Sequence, residues 1–274
     1  MSTCFIVATP IGNLADLSPR AADVLRSASV VYCEDTRVTR RLLQHVGAHT
    51  RLRSFNDHNA SARIPEALAD LSRGDIAYAS DAGTPGLNDP GQRLVAAARA
   101  AGHAVVPLPG PHAAAAALSV AGFFSDRYVH LGFLPRGASQ ILRAVEQADA
   151  LAAAVLAYEA PSRLARTLAA LAARWPDRAA LVARELTKLH EETAAGPLAD
   201  LARRFAGSVR GEVVLALAPV ARGREAAPAG DWHDELQRLR AAGVSPTRAV
   251  AEVARRFGVR RAEAYAAWRA LRPP

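Results

Sequence analysis

Side chains able to move a proton gather at a few places in this 274-residue chain. Glu34-Asp35-Thr36-Arg37, Asn56-Asp57-His58-Asn59, Tyr158-Glu159 and Glu185-Leu186-Thr187-Lys188 each fall at the end of a short strand-like run. Glu34, Asp35, His58, Glu159, Glu185 and Lys188 are therefore the candidates for acid–base chemistry. Each has a structural alternative. Asp35 or Thr36 can cap a helix start, His58 can cap the helix after it, and Glu159 can orient the Ser162-Arg163 turn. Lys188 can serve as a base if its surroundings depress its pKa, or hold a phosphate as a cation. Between these clusters lies Ser80-Asp81-Ala82-Gly83-Thr84-Pro85-Gly86-Leu87-Asn88-Asp89-Pro90-Gly91, with three glycines and two prolines in twelve residues. Such a stretch makes a rigid loop of sharp turns that a ligand can approach closely, with Asp81 as a fixed acceptor. Thr9-Pro10-Ile11-Gly12-Asn13 and Pro109-Gly110-Pro111-His112 are loops of the same kind.

The elements that must position these loops read as an α/β alternation. Strands are expected at Cys4–Ala8, Val30–Cys33, Leu52–Phe55, Ile76–Ala79 and Ala104–Leu108. Helices are expected at Pro19–Ser27, Thr36–Val46, Arg63–Ser72, Gln92–Ala101 and His112–Ala121. That order predicts a mostly parallel sheet covered on both faces, with its ligand loops at the strands' carboxyl ends. A break at Gly122–Arg136 leads to a second α/β set. It has strands at Tyr128–Leu131, Ala153–Tyr158, Ala179–Arg184 and Val213–Ala218, and helices at Ser139–Ala148, Ser162–Trp175 and Pro197–Phe205. After an Ala221–Gly230 linker, three short helices follow, with apolar faces Trp232/Leu236/Leu239, Val250/Val253/Phe257 and Tyr265/Trp268/Leu271. Ser245-Pro246 starts the middle one and Gly258 ends it. The expected domains are residues 1–122, 123–225 and 231–274.

Composition narrows the function. No apolar run approaches the ~20 residues of a membrane span. The first strand starts almost at Met1, which leaves no room for a signal peptide, so a cytoplasmic protein is expected. Cys4 and Cys33 sit in apolar runs as buried thiols, without a disulfide framework or a zinc spacing. The net charge of +8 favours a polyanionic partner. All but one of the 34 basic residues are arginine, the exception being Lys188, and an arginine-favouring genome accounts for part of this excess. Gly-x-Gly-x-x-Gly, Walker and Gly-x-Ser-x-Gly motifs are absent from the sequence, which removes the main support for dinucleotide, P-loop and α/β-hydrolase chemistry.

Taken together and in order, VATPIGNLADLSPRA (7–21), CEDTRVTRRLL (33–43), NDHN (56–59), SDAGTPGLNDPG (80–91), PLPGPHAA (107–114), GFLPR (132–136), YEAPSRL (158–164) and RELTKLHEE (184–192) form a recognisable set. The chain closely resembles, over nearly its full length, the bacterial ribosomal RNA small-subunit (cytidine-2′-O)-methyltransferases of the tetrapyrrole-methylase superfamily. The resemblance implies two α/β domains, a mostly parallel N-terminal sheet and a mixed C-terminal one, with a small helical module behind them. It implies S-adenosylmethionine bound in the cleft between the domains and a homodimer that needs no metal. It further implies methylation of a decoding-centre cytidine of 16S rRNA in the 30S subunit. Carried onto matching positions, it makes Thr9, Pro10, Asp81, Ala82, Gly83, Thr84, Pro111, His112 and Ala113 donor contacts from the first domain. Tyr158, Ala183, Arg184 and Gly211 are the contacts from the second, and His58 gains the alternative of touching RNA. Asn56 stands where relatives commonly carry His, and His112 where Ser or Cys is more usual. Residues 231–274 carry nine arginines against five carboxylates, so this module is expected to dock RNA or to pack the dimer. The rival readings are methylation of a tetrapyrrole or a modified protein side chain, and a non-catalytic RNA-binding or assembly factor.

Overall fold

The computed structural model describes residues 2–86, 89–220, 231–257 and 259–271, apart from the side chains of 255 and 256. The expected linker at 221–230, Leu87, Asn88 and the helix stop at Gly258 lie outside the described residues. The chain forms two compact units, Met1–Ala218 and Pro219–Pro274.

The first unit contains two sheets. Strands β1 (Thr3–Val7), β2 (Val30–Cys33), β3 (Arg51–Ser54), β4 (Ile76–Ala79) and β5 (Ala104–Leu108) pair in the order β3-β2-β4-β1-β5, parallel throughout. Every residue of β2 and β4 is buried, as expected of central strands covered on both faces. Their side chains alternate. Val31, Ala77 and Ala79 face Ala21 and Leu25 of α1 (Pro19–Ser27) and Leu42 and Leu43 of α2 (Thr36–His45). Val30, Tyr32, Ile76 and Tyr78 face Ala60, Ala67 and Leu71 of α3 (Ala60–Leu71) and Leu94 and Ala98 of α4 (Gly91–Ala100). Fully burying a leucine such as Leu71 contributes about 1.5–3 kcal/mol. The Ser18 hydroxyl caps α1 by accepting from the Ala21 N–H at 3.2 Å. Helix α3 begins three residues before the expected Arg63. An asparagine turn seats its first residue, with Asn59 Oδ1 accepting from the Asn56 N–H at 2.8 Å, and Pro65 is absorbed inside the helix. Cys4 and Cys33 are buried free thiols, and burial pushes them up to about 12 and about 11, so both stay protonated and unreactive.

The second sheet is mixed. Strands β6 (Tyr128–Phe133), β7 (Ala154–Glu159), β8 (Ala179–Arg184), β9 (Glu192–Pro197) and β10 (Val213–Leu217) run in the order β6-β7-β10-β8-β9. Only the β6/β7 pair is parallel. One face is covered by α6 (Ala138–Asp149), α7 (Leu164–Arg174) and α8 (Leu198–Arg204) through Ile141, Val145, Leu168, Leu171 and Leu201. The other face receives α5 (Ala113–Ser119), whose Ala114 and Ala117 seat on Leu156, Leu181 and Ala216. Strand β9 was not expected from sequence. It is an edge strand with one buried residue, Ala194, and a terminal proline, so it carries neither alternation nor β-branched enrichment.

The second unit has three helices, α9 (Trp232–Ala241), α10 (Pro246–Phe257) and α11 (Arg261–Ala270). Leu236, Leu239, Val250, Val253 and Trp268 form its core. The third expected face was misassigned at one position. Ala264, four residues before Trp268, is buried, and Tyr265 turns outward at 49% exposure. Small Ala264 lets α11 approach its neighbours where a tyrosine ring would hold them apart. Among the described residues, no helix is long and apolar enough to cross a membrane.

Candidate active site

The loops beyond the carboxyl ends of β1, β2, β4 and β5 meet loops of the second sheet around one cavity of about 480 Å³. Ile11, Glu34, the Ser80–Thr84 stretch and Asp89 line it from the first sheet, and His112 and Ala113 from the start of α5. Phe133, the Tyr158–Pro161 stretch and Gly211–Val214 line it from the second.

Hydrogen bonds stitch the first wall together. Thr9 and Gly83 exchange backbone bonds, the Thr9 N–H to the Gly83 carbonyl at 2.9 Å and the Gly83 N–H to the Thr9 carbonyl at 3.0 Å. The Ser80 hydroxyl donates to the Gly83 carbonyl at 2.7 Å, and the Thr84 hydroxyl to the Pro111 carbonyl at 3.1 Å. Gly83 has φ +83°, a conformation that glycine adopts without strain. Asp81 Oδ1 accepts from the Asp35 N–H at 3.0 Å, which ties the β4 loop to the β2 loop.

The second wall is held by Lys188, whose Nζ donates to Glu185 Oε1 and Glu212 Oε2, each at 2.9 Å. Glu185 Oε1 also accepts from the Glu212 N–H at 2.9 Å. Glu185 and Thr187 both have left-handed backbones, at φ 51° and 67°, which is costly for a β-branched residue such as threonine. This strained turn meets the β1 loop of the first sheet. Thr187 Oγ1 accepts from the Asn13 N–H at 3.1 Å, and a Cβ on Gly12 would fall 2.5 Å from Lys188 Cγ.

Three carboxylates crowd the cavity's first wall. Burial, then the charges of Asp81, Asp89 and Asp57, raises Glu34 from its ordinary 4.5 to about 7. Burial likewise raises Asp81 and Asp89. Asp89 spends its oxygens on the Gly86 and Gly91 N–H groups, at 2.8 and 2.7 Å. On the opposite side a ring sequence runs His112–His130–Tyr158–Phe133, with centroid separations of 5.8, 4.7 and 5.5 Å. His112 Nδ1 accepts from the Ala115 N–H at 3.3 Å, so in the neutral ring the proton rests on Nε2. Burial lowers the pKa of both histidines, and each Nε2 is buried without a hydrogen-bond partner among the described residues.

Of the residues singled out from sequence, Glu34, Asp81, Ala82, Gly83, Thr84, His112, Ala113, Tyr158, Glu159 and Gly211 line the cavity. Thr9 and Pro111 stand behind it as supports, and Pro10 is also off the lining. Asp35 caps α2 and pairs with Arg37, whose side chain and N–H hold its carboxyl down near 2. Glu159 is spent on the Ala160 N–H, the Thr167 hydroxyl and the Arg163 guanidinium, so it orients the turn after β7. His58 is exposed and away from the lining. Burial pulls the Lys188 ammonium down, but its bonds to Glu185 and Glu212 outweigh this and hold it above the usual lysine range. It lacks the depressed pKa that a base would need. Ala183 is buried under α5, and Arg184 is tied to Glu192 and the Arg210 carbonyl. Sequence reasoning passed over Asp89, Glu212, Phe133 and His130. Asp89 lay inside the quoted loop, and His130 sits in a strand whose neighbours gave no polar signal.

The parallel sheet, the mixed sheet and the cavity lined by loops of both define a class. The chain belongs to the tetrapyrrole (corrin/porphyrin) methylases, whose family model matches residues 3–202. Solved structures with the same fold include a uroporphyrin-III C-methyltransferase from Thermus thermophilus, at TM-score 0.55 and 18% identity over 80% of this chain and 92% of that one. A diphthine synthase matches at TM-score 0.58 and 16% identity, over 79% and 90%. More similar in sequence are proteins named ribosomal RNA small subunit methyltransferase I. That of Mesorhizobium japonicum is 41% identical over 95% of this chain and 89% of its own length. That of Synechocystis is 40% identical over 97% and 96%.

Proposed function

We propose that this chain is an S-adenosylmethionine-dependent methyltransferase of small-subunit ribosomal RNA. The group it modifies is the ribose 2′-hydroxyl of a decoding-centre cytidine of 16S rRNA within the 30S subunit. The observation that carries the reading is the one cavity lined jointly by the carboxyl-end loops of the parallel sheet and by loops of the mixed sheet, in a chain about 40% identical to proteins of that name.

The lining fits the donor. Glu34, Asp81 and Asp89 form an anionic wall suited to a sulfonium and an ammonium, and Phe133, Tyr158, Val213 and Val214 offer an apolar surface to a purine. Asp81 to Thr84, Ala113, Tyr158 and Gly211 would hold it. When bound, the donor supplies an already activated methyl group, so no covalent enzyme intermediate is required. The chain's own task is to align the acceptor hydroxyl and remove its proton. Glu34 is the group for that removal, being in the cavity with a carboxyl poised at about 7. The rigid Gly83 turn and the Glu185–Lys188 latch keep the two walls at a fixed spacing for the alignment. The same reading carries a homodimer acting in the cytoplasm.

The test is transfer of labelled methyl from the donor to 30S particles. Label in an alkali-resistant dinucleotide of 16S rRNA supports the proposal, whereas label on a base, on protein or on a porphyrinoid rejects it. Analytical ultracentrifugation tests the dimer.

A further inference from the structure

The second unit presents a charged surface that its own fold does not use. Arg238 is paired with Glu235, and Arg240 donates to the Trp268 carbonyl at 2.8 Å while its guanidinium lies over the Trp268 ring. By contrast Arg248, Arg261 and Arg269 are exposed and form no ion pair among the described residues. Arg248 and Arg261 flank an open concavity of about 680 Å³ between α10 and α11. Its floor is the small side chains of Ala251 and Ala254, and Glu252 is the one carboxylate on its lining. Along α11, Arg261, Tyr265 and Arg269 stand four residues apart and so share one helix face. Tyr265 sits between the two arginines with half its surface in water, outside the unit's core.

We infer that the concavity flanked by Arg248 and Arg261, together with the adjoining α11 face on which Tyr265 stands between Arg261 and Arg269, is a docking surface for single-stranded RNA. Charge complementarity names a polyanion, since residues 231–274 hold nine arginines against five carboxylates. The exposed tyrosine narrows the class. A duplex seals its bases inside and asks only for cations, whereas an unpaired segment offers base faces that stack on an aromatic ring between phosphate contacts. The alanine floor lets the strand lie close to the helix backbones. The inference deepens the ribosomal RNA reading by naming the surface and the strand state that it takes, and relies on that reading only for the source of the strand.

The test uses the full-length protein and two fluorescein-labelled probes, a single-stranded RNA dodecamer and a duplex of the same length, followed by anisotropy over a salt series. Arg248→Ala and Arg261→Ala should each weaken single-strand binding several-fold and flatten the logarithmic salt slope by about 0.7. Tyr265→Ala should weaken single-strand binding about tenfold and leave duplex binding unchanged. Melting curves that match the parent protein establish that the variants fold. Unchanged single-strand affinity in the arginine variants overturns the inference. So does a tyrosine effect equal on both probes, or loss of dimer mass with RNA binding intact. If the parent protein binds the strand through these residues yet transfers no methyl to 30S particles, the proposed function fails and this surface stands. If it methylates 30S particles and the variants bind RNA as it does, only the surface fails.

Discussion

At the scale of single residues, the proposed base Glu34 ties the reaction to its protonation. Its carboxyl sits at about 7 because burial and three neighbouring carboxylates disfavour its charge. A base must be deprotonated to act, so kcat/KM for methyl transfer should rise with pH through about 7 and level off above it. Glu34→Gln should lose about 10²–10⁴-fold in kcat and abolish that limb, and an unchanged profile would move the base elsewhere. The same group makes a stability prediction. Its folded pKa exceeds its unfolded one, so the folded state holds the proton more tightly. Stability on this account is full at low pH and declines as pH rises from about 4.5 to about 7. Glu34→Gln should therefore gain about 1 kcal/mol over the parent near pH 8, discounted for the solvent that reaches Glu34, and nothing near pH 4. Paired denaturant titrations at the two pH values check it. His130 poses a different question, since its Nε2 is buried and unpartnered among the described residues while its ring packs on His112 and Tyr158. His130→Phe keeps a ring and removes the orphan nitrogen. Without donor the variant should be as stable as the parent, or more so by about 1 kcal/mol. If the nitrogen serves the ligand, donor affinity by calorimetry should fall about tenfold; equal affinity would make His130 a packing residue only.

At the scale of elements, the turn after β8 carries most of the strain. Glu185 and Thr187 are held in left-handed conformations because the Glu185 carboxylate is anchored by Lys188 and the Glu212 N–H. Gly211, at φ +90°, leaves the room that this carboxylate occupies, and a Cβ there would run into Glu185 Cγ and Cδ. Gly211→Ala should cost about 1–3 kcal/mol in chemical denaturation and weaken donor binding, because displacing Glu185 also breaks its bond to the N–H of Glu212, which lines the cavity. Loss of stability with donor affinity intact would separate the latch from the site. This turn also marks where sequence stops being legible. Strands β2 and β4 declared themselves through unbroken apolar runs, α1 through its Ser18-Pro19 start, and the β4 loop through its glycines and prolines. The latch did not, because nothing local in Glu185-Leu186-Thr187-Lys188 says that its residues bond across to Asn13 and Glu212 and lie close against Gly12. Strand β9 stayed hidden for a related reason, since its pairing with β8 rests on backbone bonds that any sequence can make. The site followed the same rule. Loops whose backbone shape forms the wall could be read, whereas the composition of Asp35, Glu159 and Lys188 did not reveal their contacts, in which Asp35 caps α2, Glu159 holds the turn after β7 and Lys188 bonds Glu185 and Glu212.

At the scale of the whole molecule, the proposed donor cavity and the basic helical unit belong to different compact units. Among the described residues, the cores of the two sheets draw on residues up to Leu217 and the helical core on residues from Trp232 onward. The described residues lining the candidate active site all come from Met1–Ala218. A chain ending at Val220 therefore loses none of those core residues and none of that lining, and it should fold cooperatively with the parent's donor affinity. What it gives up is charge. Eleven arginines against six carboxylates leave with residues 221–274, a net +5 of the whole chain's excess of +8. Because association with a polyanion is driven by the counterions that such charges displace, the shortened chain should bind RNA more weakly and with a flatter salt dependence. Its methyl transfer to 30S particles should then fall through KM far more than through kcat, since the groups proposed to align the acceptor and take its proton are all retained. Steady-state kinetics at low and high salt distinguish the cases. A fall confined to kcat with KM unchanged would mean that the helical unit shapes the catalytic cavity instead of recruiting the substrate, and the division of labour argued from the cores would be wrong.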